Sequence, residues 1–225
     1  MNIIKEETTN FAQISGRICS ALEKSHQVEG EEFFEFKVAV DRLSKVADVV
    51  PVTVSERSIV GKTLKEGDLV KICGEYRSYN KLVSDKSRLI LHVFAKEIEL
   101  CDTLDEHLNE VKLTGFLCKS PVYRKTPFDR EICDILLAVN RPNYHKTDYV
   151  PCILWGRNAR FMAEQNVGCK VELSGRIQSR EYSKTSPNGQ TEVKTAYEVS
   201  CQRIAILSNM VKIESSTNNT DIAVN

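Results

Sequence analysis

No apolar run in this 225-residue chain approaches the roughly 18–20 residues that a membrane-spanning helix needs. The first ten residues, MNIIKEETTN, turn acidic and polar where a secretory leader would stay apolar, so a cytoplasmic location is expected. Net charge is absent too: 31 Lys and Arg balance 31 Asp and Glu. None of the eight cysteines pairs as C-x-x-C, and the four histidines stand apart, without H-E-x-x-H or a Cys/His cluster. That spacing argues against a metal site, and a disulfide framework belongs to small secreted domains. Most of the cysteines lie in apolar segments, where a thiol behaves as a small hydrophobe. Also missing are G-x-S-x-G, a phosphate-binding glycine loop and a Cys–His pair in a recognisable context, so neither an enzyme nor a cofactor is expected. What is present, 41% hydrophobic and 28% charged residues, is enough for a packed core and rules out wholesale disorder.

The neutral average conceals a repeat. Ala12-Gln13-Ile14-Ser15-Gly16 returns as Val111-Lys112-Leu113-Thr114-Gly115, and Ala39-Val40-Asp41-Arg42 as Ala138-Val139-Asn140-Arg141, both at an offset of 99. Asp48-Val49-Val50-Pro51 returns at 100, Val70-Lys71-Ile72-Cys73-Gly74 at 101, and Val93 with Ile98 at 106. Offsets that only grow mark duplicated order with small loop insertions. The expected organisation is a first copy at 11–100, a short joint at 101–110, a second copy at 111–207, and a polar, disordered tail at 208–225. The first copy has 14 basic and 14 acidic residues; the second has 15 and 9, a net +6, so a polyanion belongs there.

The second copy reads as strands. Val111–Leu117 and Val171–Ile177 alternate apolar and polar residues around Gly115 and Gly175, which suit a bulge or bend. Short apolar runs span 132–139 and 149–155, and Ser186-Pro187-Asn188-Gly189 marks a turn before a returning strand at 195–207. Ala159, Met162, Ala163 and Val167 recur at helical spacing, with Gly168 as the cap. Three strands, a helix and a hairpin is the order of an OB-fold, a five-stranded Greek-key barrel; a small β-sandwich fits the pattern as well. The predicted class is all-β, two tandem OB-folds with one short helix each.

VKLTGFLCKSPVYRKTP, LLAVNR and DYVPCILWGRNARFMAEQNVGCKVELSGRIQSREYSKTSPNGQ, in that order, resemble the bacterial single-stranded DNA-binding protein family over nearly all of 111–207. The resemblance implies a protein that coats and protects single-stranded DNA without sequence specificity in replication, recombination and repair. It also implies a homodimer, because four OB-folds commonly assemble and each chain supplies two. By the family's pattern the stacking rings fall on Tyr144, Tyr149, Trp155 and Tyr182, and basic contacts on Arg124, Arg157 and Arg180.

The residues support that chemistry independently, since strand binding without sequence preference needs rings for the bases and cations along the backbone. Tyr149 and Trp155 are six apart and point the same way on a regular strand, as do Arg176, Gln178, Arg180 and Tyr182. Arg124 is expected in an exposed loop, and Arg141, which repeats as Arg42 in the neutral copy, is expected to be structural.

The first copy departs from this pattern. Val49 replaces Tyr149, Val54 aligns with Leu154 or with Trp155, Phe33, Phe34 and Phe36 suit core packing, and only Tyr76 and Tyr79 remain as rings on its hairpin. A structural and oligomerising role is expected for it. In the tail Asp221 stands alone and no aromatic residue follows, so recruitment of replication and repair enzymes through the family's acidic, aromatic-closed tip is not expected. The rival reading is a tandem OB-fold protein adaptor of the primosome type; RNA is a further possible ligand, because base stacking does not itself select deoxyribose.

Overall fold

Alternating burial turns the repeat into strands. The computed structural model describes residues 8–208 apart from 43, 45, 84–85, 105–107, 143–144, 186–188 and 190. The first six strands are β1 (Asn10–Ile18), β2 (Glu23–Val28), β3 (Glu31–Asp41), β4 (Ala47–Ser55), β5 (Leu69–Val83) and β6 (Lys86–Cys101). The same series follows as β7 (Asn109–Leu117), β8 (Val122–Lys125), β9 (Glu131–Arg141), β10 (Lys146–Trp155), β11 (Lys170–Thr185) and β12 (Thr191–Ser208), with helix α1 (Gly156–Ala163) after β10. In β7 the inward residues Val111, Leu113 and Leu117 are at most 1% exposed, as period-two alternation requires.

Each half closes on itself. β4 pairs in parallel with β6 and β1 pairs with both β5 and β3, so these five strands form a barrel with β2 on its edge. In the second half β10 pairs in parallel with β12, and β7 pairs with both β11 and β9. Both halves are OB-folds. Barrel closure explains two of the repeated glycines: a Cβ on Gly16 would stand 2.2 Å from the Ala39 carbonyl oxygen, and one on Gly115 2.4 Å from that of Ala138. Both sit beside the point where β1 or β7 changes partner.

Three local expectations are corrected. The helical pattern stops at Ala163; Ala159 and Met162 are fully buried, but Val167 is 50% exposed and Gly168 sits in the following turn at φ +87°. The first half has only a 3-10 turn, Glu56–Ile59, in that place. Ser208 still belongs to β12, paired with Lys170, while 209–225, with Asp221, and the turn residues 186–188 lie outside the described residues. Among the described residues no helix is long and apolar enough to cross a membrane. The cysteines carry thiols, not disulfides, and burial pushes Cys133 up to about 11 and Cys201 up to about 12.

β1 and β7 join the barrels, antiparallel from Asn10↔Leu113 to Ile14↔Asn109. Around this seam the halves exchange equivalent bonds. Buried Asp48 accepts from Arg42 Nε (2.7 Å), from Arg176 Nη1 (3.1 Å) and from the Ser179 backbone N–H (2.7 Å). Buried Asp148 accepts from Arg141 Nε (2.7 Å) and from the Ser78 N–H (2.6 Å). Arg42 and Arg141 are thus structural, as their repetition predicts.

Tyr76 is fully buried beside this seam, and its hydroxyl has no hydrogen-bond partner among the described residues. Burying an unpaired hydroxyl costs about 1–3 kcal/mol. Tyr76→Phe is therefore expected to raise the unfolding free energy by about 1 kcal/mol in urea denaturation; a loss of stability would mean the hydroxyl has a partner.

Candidate nucleic-acid interface

The outer side of β10 carries the rings. Val150, Cys152 and Leu154 point into the barrel at no more than 2% exposure, which turns Tyr149 and Trp155 outward at 42% and 38%. Between them Ile153, also on the outer side, is covered and pairs with Ser200 of β12. Trp155 ends the strand in extended conformation and caps α1; Gly156, at φ +53°, turns the chain into the helix and leaves Arg157 exposed on its first turn. The Tyr149 backbone N–H donates to Ser78 Oγ (2.7 Å), so the first half fixes the position of this ring's backbone.

The hairpin β11–β12 supplies the second part. Tyr182 is 39% exposed, and the Arg180 guanidinium lies 6.0 Å from its ring centre. Arg176, also expected to contact the strand, shares their parity and is half-buried, with an ion pair to Asp48 across the seam at 3.1 Å. Arg124 lies on strand β8, not in a loop, and its Nε donates to Asp134 Oδ2 at 2.7 Å. An edge strand exposed on every residue has no buried face, so it leaves no alternation to read. Tyr144 lies outside the described residues.

Sequence reasoning missed four residues around this site. Tyr123, whose hydroxyl donates to Glu131 Oε1 (2.6 Å), and Phe128, 86% exposed between β8 and β9, flank Arg124 and Lys125. The interleaving of rings and cations in YRKTPFDR was their signal. The carboxylates of Asp134 and Glu198 also belong to this region. Burial pushes the Glu198 carboxyl above its ordinary range, with the Asp134 charge adding to the effect; Arg180, Arg124 and a 3.2 Å hydrogen bond from Gln178 oppose it.

The matching region of the first half is built differently. Its β3–β4 register pairs Phe33 with Ser55 and Phe34 with Val54, as β9–β10 pairs Ile132 with Trp155 and Cys133 with Leu154. Ser55 therefore stands where Trp155 does, and Val54 stands where Leu154 does. Phe36 is core, but Phe33 stacks on His26 with ring centres 4.8 Å apart, a correction to its expected core position. Arg77 covers the Phe94 ring at 3.7 Å and pairs with Glu75, while His92 meets the Tyr79 ring edge-on. Burial first, then the Arg77 charge, hold the His92 imidazole down at about 4, so it adds no cation at neutral pH.

The second half is similar to known proteins. Residues 108–207 match the model of the Single-strand binding protein family. Single-stranded DNA-binding protein B of Bacillus subtilis is 39% identical over 80 residues, covering 33% of this chain and 71% of that protein. Single-stranded DNA-binding protein 1 of Lactococcus lactis is 32% identical over 81 residues, and the chain spans only 54% of its length. The wild-type single-stranded DNA binding protein from Thermus aquaticus superposes with a TM-score of 0.66 over 90% of this chain and 94% of that one; at 21% identity this likeness carries the fold alone.

Proposed function

Because the chain belongs to the single-strand binding protein family, we propose that it binds single-stranded DNA without sequence preference, and coats and protects it during replication, recombination and repair. One observation carries this reading: β10 holds Tyr149 and Trp155 outward on the +6 half, beside a hairpin that offers Tyr182 with Arg180. Bases stack on the rings, and Arg124, Arg157, Arg176 and Arg180 meet phosphates. The protein acts as a binder and not as an enzyme, in the cytoplasm on the nucleoid. The segment 111–207 takes the strand, 11–100 scaffolds it, and two chains assemble four OB-folds.

Trp155 is the single tryptophan and reports on its own site. Titration with oligo-dT is expected to quench its emission strongly, with affinity falling steeply as salt rises. Binding seen by anisotropy without quenching would remove Trp155 from the interface. Absence of binding by both readouts would overturn the function and leave a protein adaptor.

A further inference from the structure

A surface meant for a polyanion is an unexpected place for carboxylates, yet two stand among its cations. Asp134 holds Arg124 in a 2.7 Å ion pair, although both side chains remain accessible, at 37% and 51%. Glu198 lies on β12 opposite Gln178, and the charges of Arg180 and Arg124 both act on it. Glu198 Oε1 accepts from Gln178 Nε2 at 3.2 Å, and Gln178 Oε1 accepts from Arg176 Nη2 at 2.9 Å, so of the two carboxylates Asp134 is the one in direct contact with an arginine.

We propose that Asp134 is a placeholder for a strand phosphate: it holds Arg124 in place on the empty surface, and a backbone phosphate displaces it when a strand binds. This rests on the function proposed above. An Arg–carboxylate pair and an Arg–phosphate pair use the same planar fork, so one anion can take over from the other without moving the guanidinium far. The exchange has a cost. Arg124 gives up an existing partner, and the released Asp134 carboxylate remains near the incoming phosphate and repels it. The pair thus sets the affinity below what the cation alone would give. It also limits the counterion release that makes binding salt-dependent.

The test uses the full chain and oligo-dT. Asp134→Asn keeps the side-chain shape and removes the charge. It is expected to tighten binding about two- to fivefold at low salt, the scale of an exposed ion pair, and to steepen the salt dependence. Weaker binding by the variant would mean that the carboxylate only orients the arginine, and would overturn the proposal; so would unchanged affinity. Asp134→Ser, which also removes the charge, decides the case in the same way if Asp134→Asn fails to fold. Failure of wild type to bind oligo-dT at all is a different result, which removes the proposed function itself.

Discussion

Asp48→Ala is expected to lower the unfolding free energy by about 3 kcal/mol, read as a lower midpoint in urea denaturation. The substitution removes the acceptor shared by Arg42, Arg176, the Ser179 backbone N–H and the Ser179 hydroxyl. Breaking a buried ion pair from one side costs about 3–5 kcal/mol. The lower end applies because Arg42 and Arg176 keep 26% and 30% of their side-chain surface in solvent. Three of the four donors belong to the second half, so loss of Asp48 also loosens the seam, and the unfolding transition should broaden toward two. An unchanged midpoint would show that β1–β7 pairing alone joins the barrels.

The same site has a pH consequence. Burial by itself would raise the Asp48 carboxyl, but hydrogen bonds from Arg42 and Ser179 and the charges of Arg42 and Arg176 hold it below the ordinary range. A depressed folded-state value means that its contribution is complete above the unfolded-chain value of about 4 and is lost as pH falls through the folded value. Wild type should therefore lose stability in acid more steeply than Asp48→Ala does.

The largest expected effect on binding comes from Tyr149→Ala combined with Trp155→Ala. Each stacked ring contributes about 1–3 kcal/mol. The two residues are six apart on an extended strand, on the order of 20 Å, so their losses should add. The double variant is expected to bind oligo-dT more weakly by about 2–6 kcal/mol, measured by anisotropy because the tryptophan is gone. Both rings are exposed by more than a third, so the melting temperature should move far less than the affinity. Affinity that survives both substitutions would transfer the stacking role to Tyr182, Tyr123 and Phe128.

Much of this site follows from strand periodicity. With Leu154 inside the barrel, Trp155 points outward, and Tyr149 follows it because six is even. The duplicated Arg42 and Arg141 were legible as structural because the neutral copy keeps one. β8 was not legible, since a four-residue strand exposed throughout has the composition of a loop. The Arg176–Asp48 bond was not legible for a different reason. Arg176 has the parity of Arg180 and Tyr182, but Asp48 is 128 residues away on the other barrel.

By itself the sequence determined the repeat, the strand periodicity, the charge asymmetry and the parity of the rings. All of these are local or self-referential: alternation reports a buried face, and an offset reports a duplication. Only the tertiary structure decided which cations remain available. An arginine on an outer strand position has the same local pattern whether it meets solvent, a carboxylate on the next strand or one across the seam. The β8–β9 hairpin brings Asp134 to Arg124, whereas β1–β7 pairing sets the two barrels together so that Asp48 meets Arg176, and a contact across 128 residues leaves no periodic trace in the chain.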